Sequence, residues 1–358
     1  MTRIKKFIVD LRPLTSNKYG GVQTVNRNFI EQIVKNLKND QQLVFFTSGL
    51  SRKKIHLPKL DTYLAKKNIR HKHLKLPNVL LNITFNLLNF PKIDKVCSLY
   101  SKNPKKKTSF MSLDVRPFAV SKHCKSIIYF HDVAFIEQKK ALSLKARFYF
   151  KLINPKQIFT RASKIITNSD FSRRKLRKHF GKQPVQIVYP SVKKPQNRTY
   201  KKSSSNVIFA IQTLQKRKNI QEILKIAEQN PKHQFVIAGA HNNTFKKERY
   251  KSAHNIQFVG EISDKKKREY IKLSKAVLYT SKYEGFGLPI YESLVYKTPV
   301  ICHKVKPFTQ LFANIKLNYI EDLDNYKIPK KLIQPYKPYR FSLKKSGRSL
   351  TKILEKNS

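Results

Sequence analysis

The chain of 358 residues is long enough for two domains, and 40% hydrophobic residues can build real cores. Its 75 Lys plus Arg against 21 Asp plus Glu give a formal charge of +54 and a pI near 10.3, outside ordinary soluble composition, so an anionic partner or surface is expected. Cys97, Cys124 and Cys302 lie far apart without paired spacing, which argues against a disulfide framework or a zinc cluster and for a reducing compartment.

In chain order, "KKFIVDL" (5–11) reads as a first strand. The apolar run before Asp10 is too short for a signal-peptide core. A glycine turn, "YGGVQTV", leads into an amphipathic stretch whose Val25, Phe29, Ile33 and Leu37 recur at helical spacing. "QLVFFTS" (42–48) is the next strand. "NVLLNITFNLLNF" (78–90) is the most apolar window, yet it falls short of the roughly 18 residues a spanning helix requires and carries four Asn. Any membrane contact is therefore expected to be peripheral. "KSIIYFHD" (125–132), "ASKIITNSD" (162–170) and "PVQIVYPS" (184–191) read as buried strands ending in polar or turn residues.

"KKPQNRTYKKSSS" (193–205) is polar, basic and serine-rich, and serves best as a linker. Strand and helix patterns then restart: "NVIFAIQTL", "NIQEILKIAEQN", "HQFVIAGA", "NIQFVGEIS", "KKREYIKLS", "AVLYTS" and "TPVICH". The expected organisation is an α/β doubly wound domain over 1–195, a linker over 196–205, a second such domain over 206–335 and a C-terminal helical tail over 336–358.

Two doubly wound domains bind ligands outside the carboxyl ends of their strands, so the polar residues there are the candidates. "TLQKRKNI" (213–220) places Lys216, Arg217 and Lys218 between a strand and a helix. That arrangement suits a diphosphate, because free amides and the helix dipole add to the cations. Taken alone, a solvated turn in a lysine-rich chain is the simpler account. "YEGFGLPIYESL" is more specific: Gly285 and Gly287 let the backbone approach a ligand, Pro289 suits a first helical turn, and Glu284 and Glu292 can accept hydrogen bonds from vicinal hydroxyls. An ordinary helix start with an acid near its positive end is the plainer alternative.

These residues carry a family resemblance. "SKYEGFGLPIYESLVYKTPVIC" resembles the two-glutamate signature of retaining family 4 glycosyltransferases of GT-B fold, with Glu284 and Glu292 as its acids. "TLQKRKNI" resembles the same family's phosphate segment, "YGGV" its first glycine loop, "YFHDVAFIE" its His-Asp strand end, and "IITNSDFSRRKL" a characteristic helix start. The likeness runs from about residue 5 to 300, in the family's order.

The resemblance implies two Rossmann-like parallel-sheet domains facing each other across a cleft, and transfer of a sugar from a nucleotide-diphosphate sugar to a hydroxyl acceptor with retained anomeric configuration. It implies that Lys218 and Arg217 bind the donor diphosphate and that Gly20 and Gly21 approach the phosphates. Glu284 and His131 would contact the sugar at the reacting centre, Gly285, Phe286, Gly287 and Leu288 would meet sugar and phosphates, and Glu292 would hold the ribose. The nucleotide sugar is then a co-substrate, with no cofactor and no metal expected. Gln212 departs from the family's usual glycine, Leu343 stands where the closing tail helix, implied to cross back toward the N-terminal domain, has Trp, and the family's "PE" segment is not visible after Cys302.

Residues 1–200 carry 43 basic and 9 acidic residues, and 201–358 carry 32 and 12, so the first domain is the more basic. "NPKKKTSF" (103–110), "KARFYFKLI" (145–153) and "FSRRKLRKHF" (171–180) mix cations with aromatics, as expected of a protein on anionic lipid headgroups. A lipid-linked or polymeric glycan acceptor and a cytoplasmic, peripheral location follow as expectations. A basic nucleic-acid-binding protein is the alternative from another class, although no zinc finger, RNP-type strand or repeat is present and no specific nucleic acid is expected. A sugar-nucleotide epimerase or phosphorylase of related fold is the third reading.

Overall fold

The computed structural model describes residues 4–15, 20–51, 55–100, 108–193, 205–212, 218–239, 254–335 and 341–356. The chain divides into two units, one of Met1–Pro190 with Phe341–Ser358, the other of Ser191–Arg340. The linker expected at 196–205 lies outside the described residues except for Ser205.

The first unit is a seven-stranded sheet in the order β3-β2-β1-β4-β5-β6-β7, built from β1 (Lys5–Asp10), β2 (Gln41–Ser48), β3 (Ile69–Leu74), β4 (Thr108–Ser112), β5 (Cys124–Phe130), β6 (Lys164–Thr167) and β7 (Val185–Ile187). Every neighbouring pair is parallel, with Val9 opposite both Phe45 and Met111 in the centre. A parallel sheet covered on both faces needs strands that are apolar on both sides, which is why Phe7, Ile8, Val9, Phe45 and Phe46 are fully buried in succession.

Two strands of this sheet escape the sequence pattern. Edge strand β3, "IRHKHL", alternates buried or half-buried positions with exposed Arg70 and Lys72 and is held through Thr47 Oγ1, which bonds His71 Nε2 at 2.7 Å and His73 Nδ1 at 3.0 Å. Strand β4, "TSFMS", is wholly buried, so Phe110 belongs to the core and is not the lipid-facing aromatic that its lysine-rich flank suggests. Residues 103–107 of that stretch lie outside the described residues.

The longer helices of this unit are α1 (Gly21–Lys35), α2 (Asn78–Leu87), α3 (Leu144–Ile153), α4 (Pro155–Arg161) and α5 (Asp170–Phe180). Val25, Phe29 and Ile33 are buried on α1 as their spacing predicts, whereas Leu37 lies past its end. Helices α3 and α5 cover the stretches 145–153 and 171–180, and Tyr149, Phe150 and Phe180 there pack against the core. Behind β1, Arg12 is completely buried and folds back on Asp10, with Nη2 to Oδ2 at 2.7 Å and to Pro117 O at 2.9 Å. A buried guanidinium is tolerable only when so paired.

The second unit is a six-stranded parallel sheet in the order β10-β9-β8-β11-β12-β13, from β8 (Val207–Ile211), β9 (Gln234–Ala238), β10 (Ile256–Gly260), β11 (Ala276–Tyr279), β12 (Val300–Cys302) and β13 (Asn318–Tyr319). Its longer helices are α6 (Ile220–Gln229), α7 (Asp264–Leu273) and α8 (Leu288–Val295). In each sheet the order reverses beside the first strand, so the chain leaves β1 and β4, or β8 and β11, in opposite directions and opens a crevice at their carboxyl ends. The tail helix α9 (Leu343–Lys356) belongs to the first unit, where Ser346 Oγ donates to Tyr189 O at 2.7 Å and Ser109 Oγ to Leu354 O at 3.1 Å.

Candidate active site

The polar residues at the strand ends of the second unit converge on one carboxylate. Lys218 precedes α6, and Tyr279, Ser281 and Glu284 follow one another at the end of β11. Glu284 Oε1 accepts from Lys218 Nζ, from Tyr279 OH at 2.8 Å and from Ser281 Oγ at 2.8 Å, while Lys218 Nζ also reaches Tyr279 OH at 3.1 Å. Thr280 Oγ1 donates to the carbonyls of Lys218 and Asn219, both at 3.1 Å, and so ties the β8 loop to the β11 loop at the crevice. Lys218 is 8% exposed, so its charge must be compensated, and Glu284 compensates it.

The turn that follows is specified by sterics. Gly287 caps α8 with φ at +82°, and a Cβ built there would lie 2.6 Å from Phe308 Cε1, so only glycine fits on both counts. Pro289 occupies the first turn of α8, where its missing N–H costs nothing. The amides that open this helix have no intrahelical acceptors and favour an anion.

One turn further, Glu292 is 6% exposed and pairs with Lys267 of α7, Nζ to Oε1 at 2.7 Å, and Lys267 also meets Asp264 at 3.2 Å. Burial alone would lower the pKa of the Lys267 ammonium, but Glu292 and Asp264 outweigh it and the net shift is upward, so Lys267 carries its charge at neutral pH. A third cluster joins three strand-end loops: Glu222 of α6 bonds Lys282 at 2.7 Å and also His303 beyond β12. Burial raises the Glu222 pKa, and these two partners overcome that and hold it below the usual carboxylate range.

In the first unit, Gly20 is extended and caps α1, and Gly21 is its first residue. His131 follows β5 and donates from Nε2 to Leu113 O at 2.9 Å, which leaves Nδ1 as the acceptor. Asn26 of α1, with its amide turned to donate, reaches the same carbonyl at 2.9 Å, so His131 and α1 share one anchor. Burial lowers the His131 pKa against the opposing pull of Asp114, the Leu113 carbonyl and Asp132, keeping the ring neutral at pH 7.

The sequence-predicted residues thus fall in two groups. Lys218, Glu284, Gly285, Phe286, Gly287, Leu288 and Glu292 gather in the second unit, and Gly20, Gly21 and His131 stand at strand ends of the first. Arg217, like all of 213–217, lies outside the described residues. Tyr279, Ser281 and Lys267 are the additions of the structure. Only the alternation of "AVLYTS", which aims Tyr279 and Ser281 to one side, could have suggested the first two. Lys267 sits in a run of lysines that reads as solvated surface. Gln212, unusual for the resembled family, reaches Thr280 Oγ1 at 3.4 Å. No group of three or more His, Cys, Asp or Glu side chains able to hold a metal occurs among the described residues.

Two parallel-sheet units of this topology define the GT-B fold, and solved GT-B structures match nearly the whole chain. Sucrose-phosphate synthase from Thermosynechococcus elongatus is 13% identical, over 98% of this chain and 94% of that one, with a TM-score of 0.63. WaaG, a glycosyltransferase involved in lipopolysaccharide biosynthesis, is 14% identical over 98% and 90%, with a TM-score of 0.59. A TarM variant of S. aureus, solved with fondaparinux, alpha-GlcNAc-glycerol and UDP, is 12% identical over 98% and 93%, with a TM-score of 0.58. At these identities the likeness is one of fold. Residues 192–327, within the second unit, match the family of glycosyl transferases group 1, and Lys218, Glu284 and Glu292 lie in the matched stretch. Comparison with curated proteins finds no match along the sequence.

Proposed function

We propose that the protein is a retaining, family 4-like glycosyltransferase that moves a sugar from a nucleotide-diphosphate donor to a hydroxyl of a lipid-linked or polymeric glycan acceptor in cell-surface polysaccharide synthesis. It works without a metal, at the cytoplasmic face of an anionic membrane. The observation that carries the reading is the pairing of Lys218 with Glu284 at the crevice, one Gly287-capped helix turn from Glu292. A cation and helix amides suit the diphosphate, and two carboxylates suit hydroxyls that cations bind poorly.

In this reading the donor replaces Glu284 as the partner of Lys218. The freed carboxylate, still held by Tyr279 and Ser281, turns to the sugar. Glu292 takes the ribose diol, positioned by Lys267. As the anomeric carbon–oxygen bond to the phosphate breaks, positive charge grows on the sugar and negative charge on the diphosphate. Lys218 and the α8 amides therefore bind the transition state more tightly than the donor. The acceptor oxygen bonds the anomeric carbon on the same face, and its proton passes to the departing phosphate oxygen. UDP in the TarM complex and the role of WaaG in lipopolysaccharide biosynthesis support a donor and acceptor of these classes.

The test is release of nucleoside diphosphate from a panel of UDP- and GDP-sugars by wild type, Lys218→Ala and Glu292→Ala. One donor is expected to be turned over by wild type and at least tenfold more slowly by each variant. Equal turnover by all three would sink the site assignment.

A further inference from the structure

Seven of the twelve large apolar side chains that stand exposed among the described residues lie in just two short stretches, 79–90 and 144–148. Val79, Leu80, Leu87 and Leu88 of the first and Leu144 and Phe148 of the second are 46–80% exposed. Helix α2 contains no charged residue; it buries Leu81 and Phe85 and turns Val79, Leu80 and Leu87 outward. Helix α3 does the same, packing Tyr149, Phe150 and Ile153 on the core while Leu144 and Phe148, one turn apart, face out. The two helices are tied together, with Asn86 Nδ2 donating to Leu152 O at 2.8 Å and Arg161 of α4 donating to Phe85 O at 3.2 Å. The outward residues therefore stand on two neighbouring helices of the first unit. Monomers seldom leave such an apolar patch without an occupant.

We infer that this α2–α3 face is the membrane-docking surface of the protein, with the apolar side chains entering the acyl boundary and the flanking cations meeting anionic headgroups. The inference rests on the membrane part of the reading above and names the residues that would carry it. Charge selects the occupant. Residues 139–156 hold six cations, Lys139, Lys140, Lys145, Arg147, Lys151 and Lys156, and no acid. A second copy docked on the same face would bring lysines against lysines. Nucleic acid would satisfy the cations but offers aliphatic Leu and Val side chains neither a stacking partner nor an apolar interior. An anionic bilayer satisfies both, because an amphipathic surface lies in the interface with its apolar side sunk about 5–10 Å and its Lys and Arg at the headgroups. No helix among the described residues is long and apolar enough to cross a membrane, and this mode of contact needs none.

The experiment is sedimentation with phosphatidylglycerol and with phosphatidylcholine vesicles, comparing wild type, the double variant Leu87→Ser/Phe148→Ser, and Leu273→Ser as an exposed apolar control in the second unit. Wild type and Leu273→Ser are expected to bind phosphatidylglycerol vesicles, and to keep part of that binding at about 0.5 M salt, where headgroup attraction is screened but apolar insertion is not. The double variant is expected to bind at least tenfold more weakly and to lose all binding at that salt, while its donor hydrolysis without vesicles stays at the wild-type rate and shows that it is folded. Wild type that ignores phosphatidylglycerol would remove the membrane reading and this inference together, leaving the donor site untouched. A double variant that binds like wild type would overturn the docking face alone, as would a wild-type dimer that the double variant dissociates.

Discussion

Lys267 is the residue whose role is easiest to separate from simple packing. Its Nζ pairs with the buried Glu292 at 2.7 Å, so Lys267→Met leaves a buried carboxylate without its cation, at a cost of about 3–5 kcal/mol of stability when such pairs are broken. The expected result is a donor KM raised by more than tenfold with a smaller change in kcat, and partial rescue by Lys267→Arg. A fall in melting temperature with unchanged KM would mark Lys267 as structural only. Gly287 makes the companion case. Gly287→Ala forces a left-handed residue and a 2.6 Å clash with Phe308 at once, and each strain of this kind costs about 1–3 kcal/mol. A melt of the purified variant should fall accordingly, and an unchanged melt would show that the turn has another conformation available. Glycines and glutamates of this loop were legible in the sequence because their spacing carries chemistry on its own. Lys267, Tyr279 and Ser281 were not, since their meaning depends on what the fold brings beside them.

Among the elements, the tail helix α9 lies unusually close to α1. A Cβ at Gly347 would stand 2.5 Å from Gln32 Cβ, a near-backbone atom that cannot swing away. Helix propensity favours Gly347→Ala by about 1 kcal/mol, yet the overlap must lift one helix from the other, an overpacking penalty of about 1–3 kcal/mol. Net destabilisation of the first unit is the expected outcome, read by thermal or denaturant unfolding; a rise in stability would mean that the helices part without penalty. The same physics explains which elements the sequence reveals. Strands β1, β2 and β5 are buried on both faces and read as apolar runs, whereas β3 sits at an edge and needs only alternate burial, so "IRHKHL" hides it. Strand β4 is central but only five residues long, and the lysines before it disguise a buried Phe110 as surface.

Across the whole molecule, charge and site chemistry separate cleanly. The excess of 54 positive charges is spread over both units, while four of the 21 acids sit against cations at little-exposed positions: Glu284 on Lys218, Glu292 on Lys267, Glu222 on Lys282 and Asp10 on Arg12. The fold class could be read from alternating strands and helices, and the proposed donor site rests on one loop together with Lys218. The docking face could not, because burial on one side of α2 and exposure on the other is a property of the packed protein. Cys97 and Cys302 illustrate the protected interior: burial pushes each thiol up to about 12 and leaves it inert. The central claim is that the second unit holds a nucleoside diphosphate between Lys218 and Glu292. Calorimetric titration of UDP and GDP into wild type and Glu292→Ala tests it most directly. The account predicts that wild type binds one of them and that the variant binds it at least tenfold more weakly; binding of neither, or equal binding by both proteins, would contradict it.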